Sequence, residues 1–369
     1  MRDGVLLFTL LFLPDDLPSG ATVGTILIRT PYSTASQAPT GQAYASLGWA
    51  CAVSDERGKY QSGGAYTMWA SASNDTADTI AFLAEQPWSS RAFAWTGASA
   101  NAIMGYVEPL EANPLAPMRA QYNLVGTTRL KGLEYQGGAF REELIVGWLN
   151  ETNGSSQLPA VLAHELFSSY WAPTTAREAQ WGAYTWPTLH LCGWYDIFST
   201  LQVTDALGLD AGGGQGARGA QTVVIEAGGH CAGGAVAWPN ASWGRELAQQ
   251  ASLDLFEGAL GVGSSAAREG ARQARAVLSA IRARVGASGS SASASSNSST
   301  LFVWYLMGSG GSGDLGNLWT AGSREVFCAC GGSLNCAPAL PLSHWRHLHS
   351  PPPPTPTHSL TLPFHLRSE

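Results

Sequence analysis

The stretch whose reading decides the fold is AWTGASANAIMGY, residues 94–106. Gly97-Ala98-Ser99-Ala100-Asn101 differs at one position from G-x-S-x-G, the sharp strand-to-helix turn that presents a nucleophilic serine. The same residues also suit an ordinary serine opening a helix, because Ser is a favoured N-cap. The local pattern does not separate the two, so the flanks must. AFAWT at 92–96 is a short apolar run that reads as a fully buried strand, and ANAIMGYVEPL after Ser99 has helical character. Ser99 therefore sits between a buried strand and a helix, the setting such a turn requires.

Working outward, the same alternation recurs. Residues 5–13 and 23–29 read as strands, GQAYASLG as a short helix, and WACAVSD (49–55) as a buried strand leading into the loop DERGKYQSGG. Residues 74–86 predict a helix capped by Asn74, with Ala77, Ile80, Ala81 and Ala84 on one face. Beyond Ser99, PTLHLCGWYDIFST (187–200) and QTVVIEAGGH (221–230) are strand-like and are separated by the helix STLQVTDALGL. Strands alternating with helices imply an α/β protein with a parallel sheet covered on both faces.

This divides the chain as follows. Residues 1–125 and 187–261 form the two parts of the core, and the Trp-, Tyr- and Glu-rich segment 126–186 is a helical lid inserted between them. Residues 262–299 hold a basic amphipathic helix, read as a solvated helix feeding a Ser-rich linker. TLFVWYLMG starts a second, β-type unit over 300–327, and residues 328–369, with SPPPPTPTHS, form a low-complexity tail that cannot build a core.

Composition narrows the function. Of 369 residues 45% are hydrophobic, enough for a large α/β domain, and the net charge of -7 offers no basic excess for nucleic acid. The longest apolar run near the start, VLLFTLLFLP (5–14), is shorter than the roughly 18–20 residues a membrane span needs and reads as a first strand. Cys328, Cys330 and Cys336 with nearby histidines match no common zinc frame, so no metal is expected. Sequons at Asn74, Asn150, Asn153, Asn240 and Asn297 lean towards a secretory route without settling the localisation. Nothing in the residues indicates the oligomeric state.

Catalysis by a serine hydroxyl needs a base to take its proton, a carboxylate to orient the base, and donors for the oxyanion. In α/β-hydrolases the chain order is Ser, then Asp or Glu, then His. After Ser99, Asp196 lies just beyond one strand and His230 just beyond the next, in a Gly-rich loop, so order and spacing suit a triad. Each has a plainer reading: Asp196 as a helix N-cap and His230 as an exposed loop residue. His190 falls inside a strand, His164 in the lid, and the other five histidines in the tail.

Several segments in order resemble the X-Pro dipeptidyl-peptidase-like hydrolases, the group that includes the CocE/NonD relatives (cocaine esterase and glutaryl acylase). They are MRDGVLLFTLLFLP, RTPYST, SDERGKYQSGG, NDTADTIAFLAEQPW, TGAS and GWYDIF. The resemblance spans residues 1–260 and, faintly, 300–320, where that family's jelly roll would begin, and implies a C-terminally truncated member. It implies an α/β-hydrolase fold with a helical lid and the start of a jelly-roll-like domain. It further implies Ser99 as nucleophile, Asp196 as orienting acid, His230 as base and acid, and an oxyanion hole made by the Tyr32 hydroxyl and the Ala100 N–H. The expected activity is hydrolysis of a small ester, amide or short peptide through an acyl-enzyme, with no cofactor. The alternative is an inactive relative acting as a binding scaffold. Asp55, Arg57 and Gly58 are expected to shape a loop near the site. A free α-amino group on the substrate would need acidic partners, for which Glu142, Glu143 and Glu165 are the lid's candidates. Asn101 departs from the motif, and its tolerance of unusual backbone angles is expected to accommodate the turn.

Overall fold

VGTILIRT, with β-branched or aliphatic side chains at most positions, forms a strand buried along its whole length, β2 (Val23–Thr30). Such a strand must be covered on both faces, and its neighbours show how. The computed structural model describes residues 1–107, 117–176, 178–230, 243–288, 300–305 and 318–322. Beside β2 lie β3 (Ala50–Asp55) and β4 (Ser89–Ala98), both parallel to it. β1 (Thr9–Phe12) closes that edge antiparallel to β3. On the other side β5 (Met118–Leu124), β8 (Thr188–Tyr195) and β9 (Gln221–Gly229) continue the parallel order. A two-stranded hairpin, β6 (Tyr135–Gln136) and β7 (Ala139–Phe140), stands apart.

Helices cover both faces. On one, α2 (Ala72–Ala84) and α3 (Ala100–Val107) pack with Leu27, Phe93 and Trp95. On the other, α8 (Trp243–Leu260) covers Ile26, Ile28, Ala94, Leu189 and Val224, and Phe256 meets Tyr44 and Trp49 edge-on. Tyr44 belongs to α1 (Thr34–Ser46). α7 (Ser199–Gly212) links β8 to β9 and brings Ala206 against Val223 and Ile225. Adjacent residues 223, 224 and 225 thus serve opposite faces, as the two-residue period of a strand dictates.

Four expectations need correction. In the run after residue 300 the described strands extend the main sheet instead of starting a separate one: β10 (Leu301–Tyr305) joins it parallel to β9, and β11 (Leu318–Gly322) follows antiparallel. Its residues are those of a strand, but which sheet it joins depends on the free edge that β9 presents. The helix before it, α9 (Ser265–Ser288), is not merely solvated; Ala267, Ala271, Ala274, Leu278 and Ile281 are buried at helical spacing. The core therefore does not close at residue 261. In α2, Ala81 is exposed, Leu83 is buried in its place, and Asn74 accepts a bond from Arg2 instead of capping. The tail cysteines and the Ser-rich stretch lie outside the described residues.

Between β5 and β8 the chain forms α4 (Leu130–Glu134), the hairpin, α5 (Glu142–Glu151), α6 (Leu158–Ala163) and short 3-10 turns. This is the segment expected as a helical lid. Among the described residues no helix is long and apolar enough to cross a membrane.

Candidate active site

The turn after β4 carries Ser99 at φ +57°, a left-handed conformation that a residue with a Cβ adopts only under constraint. Its N–H donates to the Leu124 carbonyl at 3.0 Å, and its carbonyl accepts from the N–H groups of Ala102 and Ile103. Strand and helix meet tightly here. A Cβ on Gly97 would lie 2.6 Å from the Asn101 carbonyl carbon and 2.7 Å from its Cβ. The space that Gly97 leaves therefore admits Asn101. Asn101 itself keeps a negative φ inside α3, so unusual backbone angles are not what it contributes.

The structure brings Ser99, His230 and Asp196 together. Ser99 Oγ lies 2.9 Å from His230 Nε2, and His230 Nδ1 lies 2.7 Å from Asp196 Oδ2. A carboxylate only accepts, so Nδ1 carries the proton and Nε2 is left to accept from the serine hydroxyl. The Asp196 carboxyl is wholly buried, and its second oxygen accepts the Phe198 N–H at 2.6 Å. The Phe198 ring flanks the imidazole, centroids 5.3 Å apart. Asp196 and His230 come from loops at the C-terminal ends of β8 and β9, the edge at which Ser99 also stands. Parallel strands bring all three to one edge of the sheet.

Tyr32 and Ala100 line the same cavity as Ser99 and His230. Ala100 opens α3, where first-turn N–H groups have no intrahelical acceptor. Tyr32 follows β2 in a turn held by several contacts. Its N–H donates to Thr30 Oγ1, Ser33 is at φ +80°, and the Thr34 N–H donates to Asp55 at 2.6 Å. The Tyr32 hydroxyl accepts from the Trp148 indole at 2.8 Å. Asp55 thus ties two loops together. Arg57 pairs with Asp75 and Asp3, and Gly58, at φ +71°, has no room for a Cβ against the Tyr66 backbone. All three shape the loop.

The cavity measures about 550 Å³, with Met68, Trp69, Ile103, Leu133, Trp148 and Phe198 among its apolar walls. One lining group stands out chemically: Glu134 is fully buried, and neither carboxyl oxygen has a hydrogen-bond partner among the described residues. Burial pushes its pKa up to about 8, opposed by Lys131. Sequence reasoning missed Glu134 and singled out Glu142, Glu143 and Glu165, all of them exposed; of these Glu143 reaches the cavity rim. A signal was present. Leu130, Leu133 and Glu134 share one face of α4 at i, i+3, i+4, which places the carboxylate on an apolar stripe. Among the described residues no group of three or more His, Cys, Asp and Glu side chains is arranged to hold a metal.

A mostly parallel sheet with helices on both faces, and a serine on the turn between a central strand and its helix, define an α/β-hydrolase fold. Residues 3–160 match the family described as X-Pro dipeptidyl-peptidase (S15 family), so the resemblance read in the sequence is shown over that stretch. Solved structures agree on the fold. An α-amino acid ester hydrolase superposes with a TM-score of 0.52 at 17% identity, over 70% of this chain and 53% of that one. An aminopeptidase from a marine sediment Thaumarchaeota archaeon gives 0.55 at 18%, over 70% and 53%. A CocE/NonD family hydrolase from Staphylococcus aureus gives 0.52 at 16%, over 70% and 48%. The chain spans about half the length of each. A search of curated proteins finds no match.

Proposed function

We propose that this chain is a serine hydrolase that cleaves an ester or amide bond through an acyl-enzyme. The observation that carries the reading is the unbroken hydrogen-bond line from Ser99 Oγ through the His230 imidazole to the buried Asp196 carboxylate. In this reading Ser99 attacks the substrate carbonyl while His230 Nε2 takes the hydroxyl proton. Asp196 holds the imidazole in the required tautomer and stabilises its cation. The tetrahedral oxyanion receives the Tyr32 hydroxyl and the Ala100 N–H, donors each worth roughly 3–4 kcal/mol in the transition state. His230 then protonates the leaving group, and water repeats the sequence to free the acid.

The substrate class follows from Glu134. An unpartnered carboxyl in an apolar cavity suits a cationic group, and a substrate with a free α-amino group supplies an ammonium with three donors. Binding that ammonium offsets the burial that otherwise holds the carboxyl protonated. The matching family is described as dipeptidyl-peptidases and one structural neighbour as an α-amino acid ester hydrolase, activities in keeping with such a substrate.

The first test is a fluorophosphonate probe on the full chain, read by intact mass and peptide mapping. Labelling at Ser99, abolished by His230→Ala, is expected. Ser99→Ala should cut turnover on the order of a millionfold; a loss of only a few-fold would reject the mechanism. For the substrate class, an α-amino ester should outpace its N-acetyl counterpart, and Glu134→Gln should erase that preference. Equal turnover of the two esters by the unmodified chain would count against an amine-recognising site.

A further inference from the structure

A hydrogen bond from the Trp148 indole Nε1 to the Tyr32 hydroxyl ties the segment between β5 and β8 to the turn after β2, across 116 residues of sequence. Trp148 is on α5 and lines the cavity beside Ser99. Its ring is not left to rotate. It stacks on Trp69 at 4.9 Å between centroids and 19° between planes. Trp69 is buried, donates its backbone N–H to the Glu56 carboxyl at 3.1 Å, and has φ +66° next to Met68 at +50°. Two consecutive non-glycine residues in left-handed conformation are costly, and strain of that kind gathers where a site needs a side chain held in one place.

We propose that Trp148 is a positioning residue for oxyanion stabilisation, fixing the Tyr32 hydroxyl so that its proton is presented to the oxyanion; this rests on the reading of Tyr32 as an oxyanion donor. A phenolic oxygen has one proton and accepts elsewhere. With the indole N–H occupying one side of the oxygen, the hydroxyl proton takes another direction. The bond also grows in the transition state. As the phenol donates to a developing anion its oxygen becomes a stronger acceptor, and the indole bond polarises the O–H in turn. An interaction stronger in the transition state than in the ground state raises kcat and leaves KM nearly unchanged. Because the donor comes from α5 and the acceptor from the β2–α1 turn, a displaced α5 would leave the oxyanion site incomplete.

The test replaces Trp148 in the full chain by β-(3-benzothienyl)alanine, which retains the bicyclic stack and substitutes sulfur for N–H, with Trp148→Phe alongside it. Each is combined with Tyr32→Phe and assayed on 4-nitrophenyl acetate, an ester too small to depend on the cavity wall. Thermal melts confirm that the variants fold, and the isostere carries the test if Trp148→Phe does not. Tyr32→Phe should lower kcat about a hundredfold or more. Loss of the indole N–H should lower kcat about three- to tenfold with KM within twofold, and should cost nothing further once the Tyr32 hydroxyl is gone. The proposal is overturned, with the oxyanion reading intact, if Tyr32→Phe collapses kcat but the Trp148 variants leave it unchanged, lower it equally in both backgrounds, or move KM alone. Full activity in Tyr32→Phe overturns both readings, as does a chain with neither ester turnover nor Ser99 labelling.

Discussion

At the scale of single residues the active-site turn depends on one missing Cβ. Gly97→Ala sets that atom 2.6 Å from backbone of α3, which has no flexible side chain to yield. It should destabilise the fold by about 1–3 kcal/mol or more and suppress labelling of Ser99, measured by thermal melt and probe adduct. Asn101→Gly changes far less: it removes a buried Oδ1 that has no partner among the described residues, at the cost of some helix propensity. Labelling should stay within about threefold and stability within about 1 kcal/mol. The motif departure at Asn101 was legible in the sequence. The room for it was not, because two backbones must be in place before one sees which glycine makes that room. Glu134 offers a second residue-scale test. Burial raises its folded pKa from 4.5 to about 8, so its favourable contribution is complete below about pH 4.5 and is lost as pH rises through 8. Glu134→Gln should therefore leave stability nearly unchanged at pH 5 and raise it at pH 9, in urea titrations at the two pH values.

At the scale of elements, periodicity located the strands and helices but not their partners. TLFVWYLMG reads as a strand from its composition, yet only the exposed edge of β9 determines that Leu301–Tyr305 lengthens the main sheet. The stripe Ala267, Ala271, Ala274, Leu278 and Ile281 in α9 was likewise present in the sequence, outvoted there by the arginines beside it. The two readings of α9 differ in a measurable way. Leu278→Ala should cost about 2–4 kcal/mol if the helix is packed as in the structure, and under about 0.5 kcal/mol if it is solvated. A denaturant midpoint decides between them.

At the scale of the whole molecule, buried titratable groups make stability depend on pH. Glu56 and Glu134 are both pushed up to about 8 by burial, so each loses its contribution as pH climbs from about 4.5 to 8. His190 works the other way. Wholly buried between the Tyr106 hydroxyl and Gln221, it is held neutral down to about 4, and stability falls as pH drops from 6.5 towards that value. Between pH 4.5 and 6.5 two carboxyls outweigh one imidazole, so the melting temperature should decline from pH 5 to pH 8; a flat profile over that range would contradict the burial of Glu56 and Glu134. The sequence by itself determined the strand–helix alternation, the serine between AFAWT and a helix, and the order Ser99, Asp196, His230, because these depend on local side-chain pattern and chain order. Only the tertiary structure decided the rest: that Gly97 makes room for Asn101, that Glu134 faces the cavity unpartnered, that Trp148 reaches the Tyr32 hydroxyl, and that β10 belongs to the core. Each of these joins segments far apart in the chain or depends on a close approach of backbone, and neither is written in the spacing of neighbouring residues.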